Sequence, residues 1–136
     1  EQYCSIIQEY ETKGIVKGWG QQSDVHSIIK SHHIMVQPSY HEGLSNVLLE
    51  AASCGRPVVA TNIPGCRETF DEGISGIGFE PHNGDSLVNA VEKILALSSE
   101  ERERMGISGR EKVEKEFSRR IVIDFYLDEL RCMKTK

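Results

Sequence analysis

Short apolar segments of strand length alternate along this chain with longer segments of helical periodicity, and this alternation constrains the fold more than any other feature. The predicted strands lie at residues 14–18, 34–37, 56–60 and 76–79. The predicted helices lie at residues 3–10, 24–31, 46–54, 85–97, 99–116 and 118–132, with a shorter helix at 66–72. Because strands that alternate with helices form parallel sheets covered by helices, the predicted fold class is α/β.

Two helices carry apolar faces that are predicted to lie in the core. The helix at residues 85–97 has apolar side chains at helical spacing, and its predicted buried face consists of Leu87, Val88, Val91, Ile94 and Leu95. In the last helix, Phe125, Tyr126 and Leu127 are interpreted as core residues.

The length and charge of the chain argue against several classes of protein. Its 136 residues are enough for one domain, and we expect a single domain over residues 1–136 with C-terminal helices at about 99–132. Through Leu97 there are 6 Lys and Arg against 12 Asp and Glu, an acidic balance that argues against a nucleic-acid partner. No apolar run is long enough to cross a membrane, and Glu9 and Glu11 interrupt any signal peptide, so we expect a cytoplasmic protein.

The cysteines and histidines do not indicate a metal site. The four cysteines form no Cys-x-x-Cys pair, and we expect all of them as free thiols in a reducing compartment. His32 and His33 precede a predicted strand, where adjacent side chains point to opposite faces. The sequence also lacks an Asp-x-Asp pair, so we expect no metal cofactor.

Glu50 is an acidic residue within an apolar stretch. It follows Val47, Leu48 and Leu49, and no Lys or Arg lies three or four residues away in the predicted helix. A carboxylate in apolar surroundings needs hydrogen-bond donors, and the two hydroxyls of a ribose offer a charge-assisted bidentate contact. The alternative is an exposed position on the polar stripe of an amphipathic helix.

The loop before this helix carries a second carboxylate, Glu42, followed by Gly43. Glycine lets a ligand approach the backbone closely. The N–H groups of Leu44, Ser45 and Asn46 lie at the start of the predicted helix, where they and the helix dipole suit a diphosphate. Glu42 would then meet sugar hydroxyls, so the segment is interpreted as a site for a nucleotide sugar.

Two loops are predicted to converge at this site. The loop at residues 38–45 leaves one predicted strand, and the loop at residues 61–67 leaves the next. In parallel α/β sheets, ligands bind outside the carboxyl ends of the strands. We therefore expect both loops to face the same crevice.

The pair Glu42-x7-Glu50 resembles the double-glutamate motif of family 4 glycosyltransferases, whose GT-B fold consists of two facing Rossmann-like domains. Similar segments follow in family order over nearly the whole chain, at residues 15–18, 34–39, 42–43, 49–52, 55–60, 65–68, 73–76, 85–95 and 117–118. The form Gly65-Cys66-Arg67-Glu68 is similar to members that build bacterial capsule, O-antigen or lipid-linked glycans.

The resemblance implies the C-terminal, donor-binding half of a GT-B enzyme, a Rossmann-like sheet flanked by helices that lacks its first strands. In such a retaining transferase, Glu50 binds the ribose of a nucleotide sugar, for which UDP is the expected nucleotide. Glu42 lies at the transferred sugar as the candidate catalytic residue, and the amides of residues 43–46 approach the sugar and diphosphate. Val16 and Lys17 are weaker candidates near the base.

The resemblance also implies partners. An N-terminal domain that holds a glycan or lipid-linked acceptor is expected in the full-length enzyme, which could associate peripherally with the inner face of the membrane. Without that domain, and without the family's glycine-rich segment with its Arg and Lys, we expect weak donor binding and no transfer by this chain alone. Two alternatives remain: a nucleotide-sugar epimerase of GT-B fold, and a non-catalytic, flavodoxin-like interaction module.

Overall fold

A parallel sheet of three strands lies at the centre of the fold. The computed structural model describes residues 2–134 of the chain. The strands are β1 (Met35–Gln37), β2 (Val58–Thr61) and β3 (Gly76–Phe79), in the spatial order β1-β2-β3. The first residues of neighbouring strands pair with one another, so all carboxyl ends lie at one edge of the sheet. The predicted α/β class with a parallel sheet is confirmed.

Helices flank this sheet, and side chains cap the start of four of them. The helices are α1 (Gln2–Thr12), α2 (Val25–Lys30), α3 (Asn46–Ser53), α4 (Gly84–Leu95), α5 (Ser99–Glu116) and α6 (Arg119–Lys134), with a short 3₁₀ helix at Arg67–Thr69. Asp24, Ser45, Asn83 and Ser98 each accept a hydrogen bond from the backbone N–H three residues further on. These caps satisfy N–H groups that have no partner within the helix, and they fix where α2, α3, α4 and α5 begin.

The central strand β2 is buried on both faces and separates two apolar clusters. One cluster is formed by Ile29, Leu48, Ala51, Val58, Ala60, Cys66 and Phe70. The other is formed by Val59, Ile77, Phe79, Ala90, Ile94 and Met105. Because successive strand residues point to opposite faces, β2 contributes alternately to the two clusters. Apolar residues in an unbroken run are typical of such a doubly covered strand.

Helix α5 packs against α3 through two buried glycines. A Cβ atom on Gly106 would lie 2.0 Å from the carbonyl oxygen of Gly55, so no larger residue fits there without displacing backbone. A Cβ atom on Gly109 would lie 3.5 Å from the Cβ atoms of Ala52 and Ser75, an ordinary contact distance. Only Gly106 is therefore required for the close approach of α5.

The predicted strand at residues 14–18 is wrong. The backbone there turns back onto the end of α1, where the Ile15 N–H donates to the Tyr10 carbonyl at 3.0 Å. The Gly18 N–H donates to the Glu11 carboxylate at 2.6 Å. Branched apolar residues favour a strand locally, but a strand forms only beside a partner, and these local bonds take its place.

The predicted buried face of α4 is partly wrong, and that of α6 is wrong. In α4 the sheet is covered by Ala90 and Ile94, while Val88 and Leu95 are exposed. In α6, Phe125, Tyr126 and Leu127 are all exposed, because no element within residues 2–134 covers that face. No helix in the described part of the chain has both the length and the apolar character needed to span a bilayer.

Candidate functional site

Glu42 is held at the carboxyl end of β1 by two neutral donors. The Gln37 Nε2 group donates to the Glu42 carboxylate at 2.6 Å, and the Ser39 hydroxyl donates to the same oxygen at 2.8 Å. Gln37 is the last residue of β1, so the strand itself positions this half-buried carboxylate. Both donors bind one carboxylate oxygen, and the other oxygen remains available to accept hydrogen bonds from sugar hydroxyls.

Ser45 connects this network to the start of α3. Its hydroxyl donates to Gln37 Oε1 at 2.6 Å and accepts from the Leu48 N–H at 3.4 Å. Ser45 is only 2% exposed, so the cap and the Glu42 loop form one packed unit. We refer to Gln37, Ser39, Glu42 and Ser45 as the Glu42 network.

The two loops predicted to converge do so. The Ser45 N–H donates to the Gly65 carbonyl at 2.8 Å. Gly65 has a φ of +87°, and a Cβ atom there would lie 2.6 Å from the carbonyl oxygens of both Glu42 and Gly43. Glycine is therefore needed at position 65 both for its backbone conformation and for the close approach of the two loops.

The backbone amides before α3 differ from the prediction at one position. Ser45 does not present a free N–H, because Gly65 already accepts from it. The N–H groups of Leu44 and Asn46 have no acceptor among the described residues. Gly43 is exposed, and a Cβ atom there would meet nothing within 4 Å, so space for a ligand remains above the loop.

Glu50 lies deeper in α3, on the wall of a cavity of about 280 Å³. We call this the Glu50 cavity; its lining is Asn46, Leu49, Glu50, Ser53, Val113, Phe117 and Arg119. The Glu50 carboxylate is half-buried and has no hydrogen-bond or ion-pair partner among residues 2–134. Arg119, the first residue of α6, is the cationic residue in the lining of this cavity.

The two weaker candidates near a base do not reach this site. Lys17 places its ammonium 3.6 Å from the centre of the Trp19 ring, a cation–π contact. Val16 is exposed in the segment that forms no strand. Neither residue lines the Glu50 cavity.

The loop after β2 adds negative charge beside Glu42. Burial, with smaller effects from Glu42 and Glu68, raises the pKa of the Cys66 thiol. Glu68 accepts from the Gly65 N–H at 2.6 Å and pairs with the exposed Arg67 at 3.2 Å. The pKa of Glu68 is lowered, mainly by a hydrogen bond from its own backbone N–H and then by the one from the Gly65 N–H. The charge and hydrogen bond of Arg67 lower it further. Cys66 remains a buried neutral thiol, and all four cysteines are free.

Sequence reasoning missed Gln37 and Ser39. Gln37 ends an apolar strand, and a polar side chain at the carboxyl end of a buried strand is the signal that would have indicated it. Ser39 follows Pro38 and showed no comparable signal.

Comparison with known families gives a clear match. The sequence model of the family described as "Glycosyl transferases group 1" matches residues 1–112. The chain is 32% identical over 125 residues to the lipopolysaccharide core biosynthesis glycosyltransferase LpsE of Rhizobium meliloti, covering 92% of this chain and 36% of LpsE. It is 33% identical over 100 residues to the capsular polysaccharide biosynthesis glycosyltransferase CapM of Staphylococcus aureus, covering 74% of this chain and 26% of CapM. The chain thus spans about a third or less of these relatives.

Solved structures share the fold. A sucrose-phosphate synthase from Thermosynechococcus elongatus superposes with a TM-score of 0.85 at 27% identity, covering 98% of this chain and 34% of that one. Anabaena HepE, solved in complex with UDP, superposes with a TM-score of 0.78 at 18% identity, covering 98% of this chain and 37% of HepE. The second likeness shows the fold alone.

Proposed function

The chain belongs to the glycosyl transferases group 1 family, and we propose that it is the part of a retaining glycosyltransferase that binds the nucleotide-sugar donor. The observation that carries the proposal is the arrangement along residues 42–50. A carboxylate is fixed at the carboxyl edge of the sheet, unpaired amides begin α3, and a second carboxylate without a partner lies deeper in that helix. Retention rests on the resemblance of this segment to the double-glutamate motif.

The three parts of the site suit three parts of the ligand. The amides of Leu44 and Asn46, at the positive end of the α3 dipole, bind the diphosphate. Glu50 accepts hydrogen bonds from the two ribose hydroxyls, which supply the donors that its half-buried carboxylate lacks. Glu42, fixed by the Glu42 network, accepts from hydroxyls of the transferred sugar. Fixing that group before the ligand arrives reduces the entropy lost on binding.

The comparisons support the proposed nucleotide and pathway. HepE has been solved with UDP and with UDP-glucose, which supports a UDP-sugar as the donor. LpsE and CapM are named for lipopolysaccharide core and capsule biosynthesis, which supports a glycan or lipid-linked acceptor in a bacterial polysaccharide pathway in the cytoplasm. Because the chain spans about a third of LpsE, the proposal assigns the acceptor to another part of the full-length enzyme.

Titration with UDP, ADP and GDP tests the proposed function. We expect UDP to bind and Glu50→Ala to weaken it about tenfold or more, because a hydrogen bond to a charged group contributes about 1.5–3 kcal/mol. Glu111→Ala, which removes an exposed carboxylate from α5, is the matched control and should bind UDP like the unmodified chain. A chain that binds none of the three nucleotides would instead fit an interaction module.

Two further experiments test whether the site needs a metal and whether the chain transfers sugar alone. We propose that no metal holds the diphosphate, so addition of EDTA should leave UDP binding unchanged. We also propose that this chain alone performs no transfer, because catalysis requires donor and acceptor to be positioned together. Turnover of a UDP-sugar by the isolated chain with a lipid-linked acceptor would contradict that part.

A further inference from the structure

We propose that a second cavity, at the opposite edge of the sheet from the Glu42 network, binds the phosphate group of a small soluble phosphate monoester. This cavity has a volume of about 420 Å³ and lies between α5 and the turn that joins α3 to β2. We call it the basic cavity; its lining is His33, Cys54, Gly55, Arg56, Pro57, Ser99, Arg102, Glu103, Ile107 and Arg110. His33 and Arg56 precede β1 and β2, so the cavity lies at the amino ends of the strands.

The basic cavity is lined mainly by positive charges, whereas the whole protein carries a negative net charge. Three guanidinium groups line it with one carboxylate, Glu103, although the chain carries a formal net charge of −5. Glu103 forms no ion pair within the described residues, so it does not neutralise any of the three directly. Arginine presents several N–H donors in a planar fork, a geometry that matches the oxygens of a phosphate.

Arg56 provides the observation that points to a ligand. Its Nη2 donates to the Lys30 carbonyl at 2.8 Å, which fixes the side chain across the end of α2. Its Nε is buried and has no hydrogen-bond partner in the described part of the chain. Solvent does not reach Nε, but Nη1 also has no partner in the described part of the chain and is not buried, so it can donate to an anionic oxygen in the cavity.

Hydrogen bonds within the protein hold the other two arginines in place but leave charge or N–H donors available to an anion. Arg102 donates to the carbonyls of Leu95 and Leu97, both neutral acceptors at the end of α4, so its charge is not cancelled. Arg110 donates through Nε to Glu114 at 2.8 Å, and this leaves the Nη groups available. Helix capping therefore explains the position of Arg102, whereas the Nη1 group of Arg56 has no such partner in the described part of the chain. Side chains that are already fixed lose little entropy when an anion binds.

The size and surroundings of the cavity indicate the kind of phosphate compound. Its volume falls within the range of small-molecule sites, about 300–1,000 Å³, and exceeds what a phosphate ion alone would fill. Ile107, whose side chain is exposed, adds an apolar wall for the body of a small molecule. The first turn of α5 carries Glu100 and Glu101, and these charges would repel an anionic bilayer. A soluble compound such as a sugar phosphate fits better than a lipid headgroup.

The test is an NMR titration of the chain with inorganic phosphate and with glucose 6-phosphate, against sodium chloride at matched ionic strength. We expect saturable shifts of the amides at residues 54–56 and 102–110, with glucose 6-phosphate binding more tightly than phosphate. Arg110→Gln should weaken binding about fivefold or more, in line with the loss of a charge-assisted hydrogen bond. Arg56→Lys, which keeps the charge but removes the planar guanidinium fork, should also weaken it.

Matched variants make the result decisive. Arg104→Gln removes the same charge from α5 at a position that lines a different cavity, and it should leave binding unchanged. Glu50→Ala should also leave it unchanged, so failure of the UDP site and failure of this site can be told apart. Shifts that do not saturate, an equal loss with Arg104→Gln, or binding only to vesicles that contain phosphatidic acid would each overturn the proposal.

Discussion

Gln37 joins the Glu42 carboxylate to the buried Ser45 hydroxyl. Its amide nitrogen donates to Glu42 and its amide oxygen accepts from Ser45, both at 2.6 Å. One side chain at the end of β1 therefore fixes both the candidate catalytic carboxylate and the cap of α3. The loop is positioned by the strand, and the ligand does not have to order it.

Replacement of Gln37 by Ala tests this role. The change leaves the Ser45 hydroxyl, at 2% exposed, without its acceptor, and we expect the free energy of unfolding to fall by about 1–3 kcal/mol. Urea denaturation measures it. Gln21→Ala, at an exposed position, is the control and should change stability by less than about 0.5 kcal/mol. Equal stability of the Gln37→Ala variant and the unmodified chain would show that the network does not hold the loop.

The buried thiol of Cys66 predicts a pH dependence of stability. Burial, then Glu42 and Glu68, raise the pKa of this thiol above its ordinary value of 9.0. In the unfolded chain the thiol ionises near that ordinary value, while in the folded chain it stays protonated to higher pH. Its contribution is therefore fully present below the unfolded pKa and is lost as the pH rises toward the folded pKa.

Urea denaturation of the unmodified chain and of Cys66→Ala, at about pH 7.5 and about pH 10, measures this contribution. We expect the unmodified chain to lose more stability between the two pH values than the variant does. Equal losses would mean that the thiol ionises as readily in the folded chain as in the unfolded one.

At the scale of the elements, α5 approaches α3 only because residue 106 is glycine. Gly106→Ala places a Cβ atom 2.0 Å from the Gly55 carbonyl oxygen, and we expect a loss of about 1–3 kcal/mol of stability despite the better helix propensity of alanine. Gly109→Ala meets only ordinary contacts, so we expect no loss and a gain of up to about 1 kcal/mol. Thermal or urea denaturation of the two variants checks the difference. A similar effect of both changes would contradict the packing described for α5.

Local signals predicted most of the helices and strands. Apolar spacing placed α2, α3, α4 and α5 to within a few residues, because such signals act within each element. They failed at residues 14–18, where strand propensity was present but no neighbouring strand paired with it. They also failed for the exposed side chains of α6, since burial depends on what covers a helix and not on the helix alone.

The candidate site was predicted in part for the same reason. The spacing of Glu42 and Glu50 and the start of α3 are local features. Glu42 lies in the loop before α3, and Glu50 lies within that helix. The hydrogen bond from the Ser45 amide to Gly65 joins two loops that are distant in sequence, so nothing near Ser45 indicated it. Whether these residues bind a nucleotide sugar stays a prediction.

At the scale of the whole molecule, the two edges of the sheet differ in charge. The carboxyl edge carries Glu42 and Glu68, with only the exposed Arg67 paired to the latter. The amino edge carries the three arginines of the basic cavity. We therefore expect UDP to bind this chain weakly, because no cation in the described residues contacts the Glu42 network to offset the charge of a diphosphate.

A crystal structure of the chain soaked with UDP at high concentration would locate the nucleotide relative to Glu42 and Glu50. We expect the ribose hydroxyls on the Glu50 carboxylate and the diphosphate at the amides of Leu44 and Asn46. A nucleotide bound in the basic cavity or elsewhere, with Glu50 making no contact to it, would show that residues 42–50 are not the donor site.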